Sequence, residues 1–238
     1  MHLLSIETST PRSSVALADQ DGTIVSTSLG IGQRHGEFLA PAIRFCLDQA
    51  GLEARDVTGV AVGTGPGLYT GLRVGIATAK TFAAALQLPV VGLSGLDVLA
   101  FQMRHARRLI CAALDARRKE LFWAFYRCVP GGVQRQTELR VGSPDRLTGE
   151  IQAAGEECLV VGDGGFTYAD RFREVDAELA GSEHAFPDAA DLATLAVPRF
   201  VREETERPDE LTPLYLRQAD AKIGWATRGR LRGGAAAP

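Results

Sequence analysis

The alternation of apolar and polar residues at the start of the chain predicts β-strands. LLSIET, SSVALAD and TIVSTS are short apolar runs separated by polar turns, and Asp21-Gly22 forms the second of these turns. In the middle run Val15 and Leu17 alternate with Ser14, as expected for a strand with one buried face. The chain is therefore predicted to begin with three antiparallel strands.

Further along, the spacing of apolar residues changes to three and four, which predicts helices. One helix is predicted over residues 38–50, where Gly51 provides a stop, and a second over residues 70–86. GVAVG, and LPVVGL after the second helix, have the continuous apolar character of buried strands. The predicted order of the first half is βββαβαβ.

A weaker form of this pattern follows in the second half. Ser94 can cap a helix that extends to about residue 105. RLICAALDARRKELFWAFY then predicts two strands around a polar turn, TELRV a third strand, PDRLTGEIQAA a helix and CLVVGDG another strand. Residues 188–203 predict a helix that Pro198 should kink or split. The repeated βββαβα order predicts an α/β protein of two like lobes with a cleft between them.

Composition and charge narrow the functional classes. The 238 residues are 45% hydrophobic and 23% charged, which suits one large domain or two smaller ones. A net charge of -3 argues against tight autonomous binding of nucleic acid. The four cysteines and four histidines lack metal-ligand spacing, and MHLLSIETST has the pattern of neither a signal peptide nor a membrane span. These features predict a cytoplasmic protein with free thiols, no metal site and no membrane partner.

The glycine-rich stretch GTGPGLYTGLRVG, residues 63–75, predicts a tight turn from a strand into a helix. It lacks the Gly-Lys pair of a P-loop and the third glycine of a dinucleotide-binding fingerprint. Two interpretations remain. The start of the helix receives an anion, or the turn uses glycine only for its backbone angles.

The helix predicted over residues 70–86 is small or apolar on almost every face. Gly71 and Gly75 share a face that another backbone can approach closely, while Ala77 and Ala84 lie together on a further face. A helix that is apolar all round requires burial. We therefore predict that the sheet covers one side and that a neighbouring element or a second chain covers the other.

Several motifs, taken in order, resemble the TsaB family over residues 3–217. They are IETST, GPGLYTGLRVG with the following ATAK, ALDARR, VGDG and PLYLR. The usual family form of the second motif is GPGSFTGLRIG, so Leu68 and Tyr69 are mild departures. The resemblance implies a two-lobed fold like that of actin, Hsp70 and sugar kinases, which is ribonuclease H-like. We expect lobes at residues 1–104 and 105–217, with a last helix able to pack back on the first lobe, and a disordered tail at residues 218–238.

The resemblance also implies a role. TsaB-like proteins are dimerisation and activating subunits for TsaD, which transfers a threonylcarbamoyl group from threonylcarbamoyl-adenylate to the adenosine next to the anticodon of tRNA. The implied partners are a TsaD-like catalytic subunit, a TsaE-like ATPase, tRNA through the complex, and a second copy of the chain when TsaD is absent. No cofactor is expected to be bound tightly by this chain, and ATP is used by the complex.

TsaD-like chains themselves carry a metal-binding H-x-x-x-H motif, but this chain has Gly95 and Leu99 at the corresponding positions. We therefore expect no catalytic residue and no metal in this chain. Two alternatives stay open. One is a stand-alone enzyme of the same superfamily, either an ATP-dependent phosphotransferase or a metallopeptidase, and the other is a homodimeric scaffold without a tRNA role.

Two candidate sites follow from the resemblance. The first is a degenerate nucleotide cleft, whose residues could equally be ordinary polar turns. Its candidate residues are Glu7, Thr8, Ser9, Gly65, Gly67, Asp163 and Gly164. The second is a partner interface on the two helices of the first lobe. Its candidate residues are Leu39, Ile43, Cys46, Gly71, Gly75, Ala77, Thr81 and Ala84.

Overall fold

The computed structural model describes residues 1–30 and 34–217, and it confirms the predicted element order of the first half. A five-stranded sheet has the order β3-β2-β1-β4-β5, with β1 antiparallel to β2 and parallel to β4. Its elements are β1 (Leu3–Glu7), β2 (Ser13–Ala18), β3 (Thr23–Leu29), α1 (His35–Ala50), β4 (Gly59–Gly65), α2 (Tyr69–Leu86), β5 (Val90–Ser94) and α3 (Gly95–Gln102).

The second half forms another sheet, with the order β11-β10-β6-β7-β8 and with β9 paired to β7. Strands β6 and β7 form an antiparallel hairpin, and β10 lies parallel to β6. The elements are β6 (Leu109–Arg117), β7 (Glu120–Val129), β8 (Gly132–Arg135), β9 (Arg140–Gly142), α4 (Pro144–Ala154), β10 (Cys158–Val161), α5 (Asp163–Thr167), α6 (Ala169–Arg173), β11 (Glu178–Leu179) and α7 (Ala189–Val201).

Helices cover both faces of the first sheet. Val60 and Val62 of β4 pack into the core beneath α1 and α2, whereas Ala61 packs in a separate cluster with Leu192 of α7. This division follows from the period of two along a strand. Helix α7 therefore packs back on the first lobe, although it follows the second lobe in sequence.

Helix α3 joins the two cores. Ser94 caps it as predicted, because its Oγ accepts a hydrogen bond from the Leu96 backbone N–H at 3.2 Å. Leu96 and Leu99 are fully buried in the core of the second lobe, while Val98 packs in the cluster beneath α7. The helix ends at Gln102, slightly before the predicted end.

Two predictions for the second half are wrong. The strand after β7 is Gly132–Arg135 rather than TELRV, because Gly131, with φ of 87°, allows the chain to turn back at once. Only Arg140–Gly142 of the later segment pairs with β7. Helix α7 is not split at Pro198, although proline cannot donate the backbone hydrogen bond to the residue four positions earlier.

The predicted tail at residues 218–238 lies outside the described residues. Within residues 1–30 and 34–217, no helix combines the length and apolar character needed to cross a lipid bilayer.

Candidate functional site

Four glycines at intervals of four residues lie against the end of β1. They are Gly63, Gly67, Gly71 and Gly75, and we call them the glycine ladder. A β-carbon at Gly63 would overlap the Glu7 carboxylate, and one at Gly67 would overlap the Ser9 carbonyl oxygen. At Gly71 and Gly75 a β-carbon would overlap the carbonyl oxygen and the hydroxyl of Thr8. The ladder thus makes room for the segment 7–9.

Two hydrogen bonds attach this segment to the start of α2. The Leu68 backbone N–H donates to the Ser9 carbonyl at 2.7 Å, and Thr8 Oγ1 donates to the Gly71 carbonyl at 2.8 Å. At Gly71 the sequence correctly predicts that another backbone approaches closely, whereas the atoms nearest Gly75 belong to the side chain of Thr8. Thr8 follows β1 of the same chain, so the prediction that these two glycines face a partner is corrected.

Glu7 is fully buried at the end of β1. Its Oε1 accepts a hydrogen bond from the Ser9 backbone N–H at 2.6 Å. Its Oε2 and the Ser9 Oγ have no hydrogen-bond partner within the described part of the chain. Burial raises the pKa of Glu7 to about 7, the Ser9 N–H offsets part of the increase, and the charge of Asp188 adds to it. The carboxyl group therefore changes protonation near neutral pH.

Asp163 and Gly164 follow β10 and brace the β6–β7 hairpin. Asp163 Oδ1 accepts a hydrogen bond from the Asp115 backbone N–H at 2.9 Å, and burial raises the pKa of Asp163 to about 6. A β-carbon at Gly164 would lie 2.9 Å from the Ala113 carbonyl oxygen.

The predicted nucleotide-cleft residues lie around the end of β1, at the end of β4 and after β10. Thr8 and Ser9 are 1% and 0% exposed, so protein covers the end of β1. Gly65 lies beneath the carbonyl of Leu214, where a β-carbon would come within 3.2 Å of that oxygen. The described residues hold no group of three or more histidine, cysteine, aspartate or glutamate side chains arranged to hold a metal ion.

An open groove of about 750 Å³ runs between α1 and α2. Ile43 of α1 lines it, as do Ala77, Thr81 and Ala85 of α2. Its rim carries charged residues such as Arg44. Small and apolar walls with a charged rim are typical of a protein interaction surface.

The eight predicted interface residues divide between the groove and the core. Ala77 and Thr81 are exposed in the groove, and Ile43 reaches it although it is 8% exposed. Leu39 and Cys46 are buried in the core of the first lobe, so their assignment to a partner interface is corrected. The apolar period of α1 marks its sheet-facing side, which sequence alone does not separate from a partner-facing side.

Ala84 is exposed but lines a different depression. It lies beside residues 205–210, at the C-terminal end of α2. Ala77 and Ala84 are seven residues apart, which corresponds to nearly the same direction on the helix. The two residues therefore share a face of α2 but lie about two turns apart along it.

The sequence analysis missed an aromatic cluster at the start of α2. The rings of Tyr69 and Tyr215 stack with centroids 5.5 Å apart, and the Arg73 guanidinium lies 4.1 Å from the centre of the Tyr69 ring. Arg73 Nε also donates to the Tyr215 hydroxyl at 3.2 Å. The PLYLR motif contains Tyr215, but no local pattern indicates which helix it contacts.

Comparison with known proteins identifies relatives of similar sequence. A family model described as TsaD, tRNA N6-adenosine threonylcarbamoyltransferase, matches residues 30–225. The tRNA threonylcarbamoyladenosine biosynthesis protein TsaB of Escherichia coli is 31% identical over 94% of this chain and 97% of its own length. The protein of that name from Bacillus subtilis is 28% identical over 94% of this chain and 98% of its own.

Solved structures match the fold. YeaZ from Pseudomonas aeruginosa has a TM-score of 0.80 and 33% identity, covering 90% of this chain and 99% of that one. An activator of 2-hydroxyisocaproyl-CoA dehydratase from Clostridium difficile, solved with bound ADPNP, has a TM-score of 0.51 and 11% identity over 85% of this chain and 98% of its own. The second likeness concerns the fold alone. Together they confirm the predicted two-lobed α/β architecture.

Proposed function

The chain belongs to the TsaB family of tRNA threonylcarbamoyladenosine biosynthesis proteins, and from that membership we propose that it is the non-catalytic subunit that pairs with a TsaD-like enzyme. In this role it activates transfer of the threonylcarbamoyl group from threonylcarbamoyl-adenylate to the adenosine next to the tRNA anticodon. Its contribution is an assembly surface and not a reacting group.

The α1–α2 groove is the observation that carries this proposal. Ala77 and Thr81 are exposed on α2 with short side chains, so a partner helix can approach the α2 backbone closely. The side chains of Ile43 and Leu47 form the apolar floor on α1. Arg44 and Asp48, an ion pair of 3.8 Å, lie on the exposed side of α1. The groove therefore offers an apolar centre beside charged residues.

Packing at the start of α3 supports a non-catalytic role. Leu99 occupies one position of the TsaD-like histidine pair, and it is fully buried in the core of the second lobe. At Gly95, the other position, a β-carbon would lie 3.1 Å from Ser9 Oγ and 3.6 Å from Pro187. A side chain at position 95 would therefore crowd Ser9, while Leu99 serves core packing.

The wider assignment follows from the same role. The proposed partners are a TsaD-like subunit, a TsaE-like ATPase and tRNA held by the complex, and a second copy of the chain occupies the groove when the TsaD-like subunit is absent. ATP is consumed by the complex, and this chain holds no cofactor tightly. The proposed location is the cytoplasm, where tRNA modification by such a complex takes place.

A reconstituted modification reaction tests the proposal. The TsaD-like and TsaE-like proteins of the same organism are combined with tRNA, ATP and threonylcarbamoyl-adenylate, with and without this chain. Modified tRNA is measured by nucleoside mass spectrometry. We expect modification only when the chain is present, and co-elution of the chain with the TsaD-like protein. Equal modification without the chain would overturn the proposal.

The stand-alone enzyme is less well supported. A phosphotransferase needs an open nucleotide site, whereas Glu7 and Ser9 at the expected phosphate end are fully covered. A homodimeric scaffold would pair through the same groove but would not stimulate tRNA modification. The modification assay therefore separates it from the leading proposal.

A further inference from the structure

Residues 211–217 cross from the first lobe to the second, and we call them the interlobe strap. Leu211 is 1% exposed in the core of the first lobe. The Leu214 backbone N–H donates to the Thr64 carbonyl at 2.8 Å, at the end of β4. Leu216 then packs against the core of the second lobe. The strap therefore has hydrophobic attachments in both lobes.

Arg217 fixes the far end of the strap to the β6–β7 hairpin. Its Nη2 donates to the Ala116 carbonyl at 3.1 Å, and the same guanidinium forms an ion pair with Glu120. These two residues flank a turn of three consecutive residues with positive φ, Arg117, Arg118 and Lys119, at 61°, 56° and 62°. Left-handed backbone is unfavourable for such side chains, so this turn depends on the structure around it.

The aromatic cluster attaches the middle of the strap to the start of α2. Tyr215 stacks on Tyr69 and accepts a hydrogen bond from Arg73, and both of these residues belong to α2. Each tyrosine is 44% exposed, so this contact lies at the surface rather than in a core. The strap consequently connects the start of α2 to the β6–β7 turn.

The strap is a third crossing between the lobes, after α3 and the segment that leads from β11 to α7. Because α3 contributes Leu96 and Leu99 to the second core, the lobes share this helix as a joint. Each further crossing restrains rotation of one lobe relative to the other. The strap passes the end of β4 at Thr64, close to the start of α3, and reaches the end of β6 at Ala116.

We infer that the interlobe strap fixes the orientation of the β6–β7 turn relative to the α1–α2 groove, with Arg217 as a positioning residue. This inference rests on the proposed function, because it concerns what the second lobe presents to a TsaD-like partner seated in the groove. Partner binding requires only the groove, whereas activation requires both the groove and a fixed second lobe. Loss of the strap contact therefore separates binding from activation.

The structural test uses the isolated full chain. Spin labels are placed at exposed positions on the two lobes through Gln49→Cys and Gln152→Cys, in a Cys128→Ser background because the other cysteines are buried. We expect one narrow distance distribution, a broadened one for Arg217→Glu, and partial narrowing when Glu120→Arg is added. An unchanged distribution in Arg217→Glu, or no narrowing in the exchanged pair, would overturn the inference.

The functional test uses the same Arg217→Glu chain in the reconstituted reaction. We expect its dissociation constant for the TsaD-like partner to change less than about twofold, while stimulation of modification falls at least about fivefold. Arg173→Glu, which breaks an ion pair within the second lobe, is the control and should alter neither quantity. Full stimulation by Arg217→Glu would overturn the positioning role.

The two tests also distinguish failure of the proposed function from failure of the inference about the strap. If the unmodified chain fails to stimulate modification, the proposed function fails, while the distance measurement still decides whether the strap restrains the lobes. If the unmodified chain stimulates and Arg217→Glu loses partner binding as well as stimulation, the separation of binding from activation is wrong.

Discussion

The backbone of Gly63 lies directly against the carboxylate of Glu7, so closely that a β-carbon at position 63 would overlap Oε2. This contact accounts for the first glycine of the ladder without any phosphate ligand. It also connects a buried ionisable group to the strand next to it, because β4 is parallel to β1.

Gly63→Ala is expected to destabilise the chain by about 2 to 3 kcal/mol, since overpacking in a rigid core displaces backbone or buries a misplaced carboxylate. Urea unfolding followed by circular dichroism measures the change. Gly149→Ala on exposed α4 is the matched control, because nothing lies within 4 Å of a β-carbon there. The control should be neutral or slightly stabilising. Equal effects of the two substitutions would contradict the assigned contact.

Glu7→Gln should flatten the pH dependence of stability between about pH 4.5 and 7. The pKa of Glu7 is about 7 in the folded chain, whereas its ordinary value is 4.5, so folding favours the protonated form. The contribution of Glu7 to the free energy of unfolding is fully present below pH 4.5. It decreases by about 3 kcal/mol as the pH rises to 7. Glutamine carries no such titration.

Unfolding free energies of parent and Glu7→Gln at pH 5 and pH 8 test this expectation. The two proteins are compared with each other because Asp163 also has a raised pKa, which makes the unfolding free energy of both proteins depend on pH. The parent should lose more stability between these pH values than the variant does. Parallel pH profiles would mean that Glu7 titrates normally in the folded chain.

Ala77→Glu should weaken pairing with the TsaD-like partner at least about tenfold, because a charge would be buried unpaired in the α1–α2 groove. In the isolated chain position 77 is exposed, so the glutamate is solvated and the fold persists. Ala153→Glu on exposed α4 is the control. Calorimetric titration measures binding, and circular dichroism checks folding. A folded Ala77→Glu chain that binds normally would move the interface elsewhere.

The isolated chain should bind tRNA weakly at physiological salt, with a dissociation constant above about 1 µM. Its net charge of -3 provides little release of counterions on association. A gel-shift titration with unmodified tRNA measures the affinity, and the complex with the TsaD-like protein serves as the comparison. Submicromolar binding by the chain alone would show a direct RNA site.

The sequence predicted helices and strands where the apolar period is local, as in α2, and missed whatever depends on distant partners. Gly71 and Gly75 correctly indicated a close neighbour, but spacing cannot show whether that neighbour is Thr8 or another chain. Likewise the burial of Leu39 and Cys46 required the position of the sheet. The interlobe strap could not be predicted because its contacts join residues about a hundred or more positions apart, such as Arg217 and Ala116.

The glycine ladder has an evolutionary consequence. At Gly67 and Gly71 the neighbouring atoms are backbone carbonyls, so these glycines are required whatever side chains occupy positions 8 and 9. Gly75 is different, because its neighbour is the Thr8 hydroxyl. Thr8→Ala should therefore permit Gly75→Ala, since the two β-carbons would stand 3.4 Å apart. Gly67 and Gly71 therefore cannot be replaced, because they meet backbone atoms. Gly63 and Gly75 can be replaced only together with the side chain that each accommodates.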